Sequence, residues 1–468
     1  MLYSTMMIGR WEQRPRRVGV GTSLFLTFLL FNDPLCAESA ALPACGPGSL
    51  IEAGLHALHQ GEYGRALDCF RKGAEASPAA VEPRFYTVYA RWWQAVFGEG
   101  TPAKSDPAFD NAVEEALTVA QSRLAAMPED PAALATIGGA HVLRAHVEAA
   151  RGNYFHSAQD VRRGKNALEE ALERAPHLDS ALFPMGALNY FADRVPLAVK
   201  GLRALLFVPG GDATLGLQQI RQVVDGKGPL RTDGLLLLGQ ICSDRDHRHF
   251  TAAQNLLRAA AMDNPGSPLI AAAIGDLQLR LAQYDQAVVT FSDALQAESG
   301  SDAEASRHRR WLHLGRSEAF LGAARFQESQ AELDRVRAEA AVGTPAMSRA
   351  ERRVAEDLEA QRAAAASSDP QATGRLVLEG RDLLNQGKPQ EALVRFQAAA
   401  ANAGHDAPPW VLGWINLGSG LAKKALGDPR SARSYLKHAV VERRFRAADR
   451  ARLELDEPGD DEGVCLAP

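Results

Sequence analysis

The sequence lacks the short motifs that mark the common enzyme classes. It contains no GxSxG, HExxH or GxxxxGK[ST] pattern, so a nucleophile elbow, a zinc-protease helix and a phosphate-binding loop all lack support. Its five cysteines include no CxxC pair, which leaves no basis for a redox motif or a structural zinc site. The formal net charge is only −5, so no basic excess indicates a nucleic-acid partner. These absences favour a protein that is not an enzyme, carries no cofactor and does not bind nucleic acid.

The sequence also lacks an apolar run long enough to cross a bilayer. The longest one, Val18 to Phe31, has fourteen residues, and a spanning helix needs about 20. Four arginines between residues 10 and 17 precede it, and small residues at 37–41 follow it, which is the layout of a secretory signal peptide. We predict that residues 1–37 are removed and that the protein is soluble in the periplasm or cell envelope of a Gram-negative-type bacterium. Lipidation at Cys45 is an alternative, although the lipobox-like residues before it lie far from the apolar run.

Export would make the remaining cysteines relevant to disulfide formation. Removal of the signal peptide leaves Cys45, Cys69, Cys242 and Cys465, which allow three pairings. Cys69 falls within a predicted helix, where we expect a buried, unpaired side chain. Cys45 and Cys465 lie near the two ends and could pair, but the sequence does not fix the pairing.

One spacing of small and aromatic residues occurs three times. Gly275 is followed at intervals of 12, 4 and 3 residues by Ala287, Phe291 and Ala294. Residues three and four apart share a helix face, and the glycine allows the preceding helix to pack closely. The other copies are Gly54, Ala66, Phe70 and Gly73, and Gly380, Ala392, Phe396 and Ala399.

This spacing resembles the tetratricopeptide repeat (TPR), a helix-turn-helix unit of about 34 residues. The resemblance implies an all-α fold, an α-solenoid of TPR-like helical hairpins. Residues 182–241, with an apolar segment started by proline and a following PGGD turn, are distantly similar to bacterial exported TPR proteins. That group is related to the eukaryotic TPR family of outer mitochondrial membranes and inclusion clearance, and it carries no known active site.

The repeats and the composition divide the chain into regions. A short unit followed by a longer unit occurs twice, at 268–338 and 374–440, which indicates duplication of a four-helix block. A charged helix from Ser348 to about Ala366 lies between the two blocks. The predicted regions are a signal peptide (1–37), a divergent TPR-like region (38–265), a TPR block (266–366), a linker (367–373), a second TPR block with a basic C-terminal helix (374–452) and a disordered acidic tail (453–468).

Three segments outside the regular repeats allow two interpretations each. The helix from Pro83 to Phe97 carries six aromatic residues, which are either core or a partner-binding surface. The apolar segment 196–208 is either a buried helix or a peripheral contact with a membrane or a hydrophobic partner. Cys242, Asp244, Asp246, His247 and His249 resemble a metal cluster, but their spacing matches no zinc pattern, so we predict a charged loop without metal.

The first helices of TPR hairpins line the concave wall of the superhelix, and the resemblance therefore points to a binding surface. Residues one and five places after each marker glycine share a helix face. In the C-terminal half, all charged residues of this face except Asp276 are basic. We therefore predict an inner groove that binds an acidic peptide or a carboxylate terminus, although the same side chains could simply be solvated. The predicted partner-binding residues are Arg280, Arg316, Arg381, Asn385 and Lys423.

The combined features predict an exported TPR scaffold that binds a protein or peptide in the cell envelope. The alternative is an accessory component of a periplasmic solute uptake system, similar to the repeat components of TRAP transporters, which would enclose a small ligand. The sequence does not indicate the oligomeric state.

Overall fold

A computed structural model of the chain describes residues 47–95, 106–194, 210–244, 247–298, 303–339, 345–404, 407–442, 445–455 and 465. These residues form twenty α-helices, and no strand occurs among them. The first ten are α1 Pro47–His59, α2 Tyr63–Ala76, α3 Glu82–Trp93, α4 Pro107–Ala126, α5 Pro131–Arg151, α6 Tyr154–Arg174, α7 Asp179–Asp193, α8 Ala213–Asp225, α9 Arg231–Cys242 and α10 Phe250–Asp263. The others are α11 Pro268–Arg280, α12 Tyr284–Ala297, α13 Ala303–Gly322, α14 Phe326–Ala338, α15 Pro345–Ala366, α16 Thr373–Asn385, α17 Pro389–Asn402, α18 Pro409–Ala425, α19 Pro429–Val441 and α20 Ala448–Leu455.

Aspartate or serine caps followed by proline define several helix starts. Asp130 accepts hydrogen bonds from the backbone N–H groups of Ala132 and Ala133, and Pro131 follows it at the first helical position. Ser267 caps α11 in the same way, immediately before Pro268. The caps satisfy N–H groups that have no partner inside the helix, and proline costs nothing there because its missing N–H would be unpaired anyway.

Two of the three aromatic markers pack between glycines of two successive hairpins. A Cβ atom placed on Gly275 or on Gly315 would lie only 2.3 or 2.4 Å from Cζ of Phe291. The second block repeats this arrangement, because Phe396 faces both Gly380 and Gly418. The ring thus occupies space that both glycines leave open. This packing confirms the prediction of an α-solenoid of TPR-like hairpins.

The duplicated block and the irregular segments agree with the sequence in several respects. Helices α11–α14 and α16–α19 form the two predicted four-helix units, and α15 is the charged helix between them. The aromatic residues described in α3 are all buried, so this helix is core and not an exposed partner-binding surface. Cys69 is buried and unpaired, as predicted.

The predicted signal peptide and segment 196–208 lie outside the described residues. No helix in the described ranges combines the length and the apolar character needed to cross a membrane.

The N-terminal half closes on itself. The carboxylate of Asp233 in α9 accepts a hydrogen bond from the hydroxyl of Tyr89 in α3 at 2.5 Å and contacts Nε2 of His59 in α1 at 3.0 Å. The hydroxyl of Ser267, at the start of α11, donates to the carbonyl oxygen of His59 at 2.6 Å. These contacts join residues as much as 208 positions apart. Helices α1–α11 therefore form one closed superhelical turn, which we call the N-terminal turn.

The C-terminal half closes on the other end of α11. Arg280, its last residue, donates from Nε to Asp449 in α20 at 2.6 Å, across 169 positions. A disulfide joins Cys242, the last residue of α9, to Cys465. Helices α11–α20 form this second closed turn, the C-terminal turn. Helix α11 thus belongs to both turns and links them.

The end of the chain differs from the predicted disordered tail. Residues 453–455 belong to α20, where Glu454 pairs with Lys424 and Leu455 is buried. Cys465 is also buried, and its partner is Cys242 and not Cys45. The acidic composition of the tail did not reveal these attachments because their partners lie in distant helices.

Candidate functional site

The inner surface of the C-terminal turn carries a group of buried and half-buried charged side chains. We define it by Asp276 and Arg280 of α11, Glu318 of α13, Arg381 of α16 and Trp414 of α18. Segment 445–455, which comprises α20 and the three residues before it, lies against this surface. The site is therefore a groove between repeats that already holds a helical segment of the same chain.

Arg446 contacts two carboxylates on different helices. Its Nη2 donates to Asp276 at 2.7 Å, and its Nε lies 3.1 Å from Glu318. Glu318 also accepts two hydrogen bonds from Arg353 of α15, each at 3.0 Å. Burial would raise the pKa of Glu318, but the two guanidinium groups outweigh it and lower this pKa to about 2. The same carboxylates raise the pKa of Arg446 against the opposing effect of its own burial. Glu318 and Arg446 are therefore both ionised at neutral pH.

A second cluster holds the helix α20 itself. Arg280 binds Asp449 through Nε and Nη2, and its Nη2 also donates to the carbonyl oxygen of Ser243 at 2.6 Å. Arg452 contacts the same carboxylate from within α20. Burial raises the pKa of Asp449, but Arg280 and Arg452 outweigh it, and the pKa is lower than usual. Ser243 directly follows Cys242 in the chain. The disulfide to Cys465 and the Arg280 cluster therefore both make their contacts at the end of α9.

Arg381 is buried among neutral groups. Its guanidinium lies 4.3 Å from the centre of the Trp414 ring, and it donates to the carbonyl oxygen of Gly322 and to Gln361. Burial lowers the pKa of Arg381. The planar cation thus joins α16 to α13, α15 and α18 through stacking and hydrogen bonds.

The five residues predicted to form a basic wall do not form an open groove. Arg280 and Arg381 are only 5% and 7% exposed, and the contacts above occupy them. Arg316 pairs with Glu332 at 2.9 Å, and Lys423 pairs with Asp428 at 3.2 Å. Asn385 is exposed at the end of α16. Acidic partners therefore pair with three of the four predicted cations, and the fourth, Arg381, is buried among neutral groups.

The predicted metal-like cluster is divided among other contacts. Cys242 is in the disulfide, and Nε2 of His247 lies 3.0 Å from the Tyr190 hydroxyl. Within the described ranges, no three histidine, cysteine or acidic side chains converge as metal ligands. Asp246 lies outside those ranges.

A groove on the N-terminal turn is another concave feature of the described residues. It has a volume of about 390 Å³ and lies between α2, α3 and α4, where Arg71, Glu75, Arg84 and Glu115 contribute both signs of charge. Arg84 lies 3.4 Å from Glu115 and donates to the carbonyl oxygen of Ala80. The mixed charge, largely paired internally, makes this groove a weaker candidate than the inner surface of the C-terminal turn.

Sequence reasoning missed the two residues that organise the interior of the N-terminal turn. Asp233 is 1% exposed and joins α1, α3 and α9. His146 of α5 accepts a hydrogen bond from the indole N–H of Trp92 at 2.9 Å, and burial lowers its pKa to about 4. The only sequence signals for these two residues were that Asp233 is a single aspartate in an apolar helix and that His146 lies opposite an aromatic helix.

Comparisons with known proteins do not identify a family for this chain. No protein-family model matches the chain, and no curated protein matches it. Among solved structures, yeast Tom70 has 12% identity and a TM-score of 0.30, and the match covers 88% of each chain. The human IFIT1 dimer with m7Gppp-AAAA has 11% identity and a TM-score of 0.33, covering 85% of this chain and 90% of that one. The TPR protein TTC0263 of Thermus thermophilus has 14% identity and a TM-score of 0.23, covering 57% of this chain and 99% of that one.

The fold assignment rests on the helix packing within this chain. The glycine–phenylalanine–glycine contacts and the duplicated four-helix block are those of a TPR-like protein. Stacked helical hairpins provide extended surfaces of the kind that bind other proteins. The chain is thus a helical-repeat protein.

Proposed function

We propose that this protein is an exported scaffold of the cell envelope that binds a protein or peptide through the inner surface of its C-terminal turn. The observation that carries the proposal is segment 445–455, which this surface holds through Arg280, Asp276 and Glu318. A surface that holds one helical segment by specific side chains has the shape and chemistry to hold another. This is the helix-in-groove mode of peptide recognition.

Two features support export. The first is the arginine-rich start with its short apolar run, which is typical of a secretory signal. The second is the disulfide between Cys242 and Cys465, because such bonds persist mainly in oxidising compartments. Together they favour a periplasmic or cell-surface location.

The chemistry of the groove argues against the acidic partner that the sequence predicted. Arg280 and Arg381 are buried and already bound within the chain. The groups that receive the bound segment include the carboxylates of Asp276 and Glu318. We therefore propose a protein or peptide partner without the requirement that it be acidic.

The proposal is tested by chemical cross-linking in cells that produce the tagged protein, followed by mass spectrometry of the envelope fraction. Wild type should cross-link a defined protein, and a variant with Asp276→Asn and Glu318→Gln should lose it. Intact-mass measurement of the recovered chain should show a start between residues 38 and 42. An identical set of cross-linked proteins in wild type and variant would overturn the binding surface. A tightly bound metabolite in place of a protein would instead favour the solute-uptake alternative.

A further inference from the structure

We infer that segment 445–455 is a built-in ligand, which occupies the site of an arginine-bearing helical segment of the partner, and that the Cys242–Cys465 disulfide retains it there. This inference rests on the proposed function and specifies the partner's chemistry. Reduction of the disulfide to two thiols by an added dithiol, which is itself oxidised to a disulfide, would allow a partner segment to exchange with the chain's own segment, and so would replacement of Cys465.

The position of Arg446 defines what the site recognises. Its guanidinium lies between Asp276 of α11 and Glu318 of α13, and it reaches Asp276 across 170 positions of the chain. Two carboxylates directed at one guanidinium discriminate strongly in favour of arginine, whose several donors can bind both. The partner should therefore present an arginine at the equivalent place.

The remaining contacts define the rest of the partner segment. Phe445 packs where Gly413 of α18 has no side chain, since a Cβ there would lie 2.2 Å from the ring. The buried face of the segment is otherwise made mostly of small side chains, with one larger residue at its end. These residues are Ala447, Ala448, Ala451 and Leu455. A matching partner would be a short amphipathic helix in which an aromatic residue and an arginine precede a small-residue face.

The energetics explain why the covalent attachment matters. Buried ion pairs lose much of their attraction to the cost of removing both charges from water, so the ionic contacts of Arg446 and Asp449 give only a modest net preference for the chain's own segment. The attachment of the segment at both ends keeps its local concentration high. Cleavage of the disulfide removes the attachment at Cys465 and leaves only the connection through α19. A competing segment of the same chemistry could then bind.

The test uses the full chain with Cys465→Ser and Arg446→Glu, in which the own segment loses both its attachment and its arginine. The probe is a fluorescent synthetic peptide with the sequence of residues 445–455, followed by fluorescence anisotropy. We expect saturable binding to this variant and none to oxidised wild type. The matched peptide with Arg446→Glu should bind more than about tenfold more weakly, because it leaves two buried carboxylates without their arginine. Adding Glu318→Gln to the chain should weaken binding of the normal peptide.

Equal binding of the two peptides would overturn the inference, as would saturable binding of the normal peptide to oxidised wild type. If the variant does not fold, amide hydrogen exchange on wild type decides. On reduction, residues 445–455 should lose protection while α18 keeps it, and persistent protection of 445–455 would overturn the inference. A dimer formed on reduction would also overturn it, by showing that a second copy takes the segment. These tests can fail while wild type still cross-links a defined protein in cells and the Asp276→Asn, Glu318→Gln variant still loses it. In that case the proposed function would remain valid and only this inference would be wrong.

Discussion

Removal of the Cys242–Cys465 disulfide should lower the stability of the C-terminal turn substantially. The bond joins cysteines 223 positions apart in the chain. Applied to a loop of that length, the loop-entropy relation gives about 5 kcal/mol of stabilisation through the unfolded chain at 25 °C. Measured effects of native disulfides are commonly about 2–5 kcal/mol, so we expect a loss within this range. Both cysteines are buried, so alanine replacements at the two positions also remove a little packing.

The assay is urea unfolding followed by helical circular dichroism, with wild type and the Cys242→Ala, Cys465→Ala double variant each measured with and without reductant. Reductant should shift the unfolding of wild type to lower urea and leave the double variant unchanged. The variant with Cys69→Ala controls for replacement of a buried, unpaired cysteine, and it should respond to reductant as wild type does. The same unfolding curve for oxidised and reduced wild type would refute the proposed attachment of Cys465 to α9.

Three further predictions concern particular side chains. Glu318 has a pKa of about 2 against an ordinary 4.5, so its ionised form stabilises the folded state above pH 4.5, and this stabilisation is lost as pH falls toward 2. Glu318→Gln should lower the free energy of unfolding by about 3 kcal/mol at pH 7 and by much less at pH 2, measured by urea unfolding. The pKa of His146 is about 4 against an ordinary 6.5, so stability should fall between pH 6.5 and 4, and His146→Phe should flatten that part of a melting-temperature profile. Gly315→Ala should cost about 1–3 kcal/mol by forcing a Cβ against Phe291, whereas Gly64→Ala, with open space around it, should be neutral or stabilising in the same thermal unfolding assay.

The repeat architecture could be predicted because its cause is local in sequence. Phe291 meets Gly275 and Gly315 in the same and the next hairpin, so a fixed spacing of residue types records the packing directly. The duplicated four-helix block could be recognised in the sequence for the same reason. Helix periodicity also predicted that Arg280 and Arg381 lie on inner helix faces, and both side chains are buried in the folded chain.

The candidate site could not be predicted because its contacts are remote in sequence. Nothing near Arg280 indicates that Asp449 will return to it across 169 positions, and nothing near Cys242 indicates Cys465. An arginine on a helix face has the same pattern whether it is solvated or paired with a later helix. The sequence therefore predicted a positive wall, whereas in the folded chain three of its four cations pair with carboxylates and Arg381 is buried among neutral groups.

A double-mutant cycle between Arg280 and Asp449 tests the closure of the C-terminal turn most directly. The free energy of unfolding is measured for wild type, Arg280→Ala, Asp449→Ala and the double variant. Because the two side chains form a buried ion pair at 2.5–2.6 Å, we predict that the two losses are not additive and that the coupling energy lies between about 0.5 and 3 kcal/mol. Losses that add within about 0.3 kcal/mol would mean that α20 does not lie against α11, and would contradict the closed turn on which the proposed site depends.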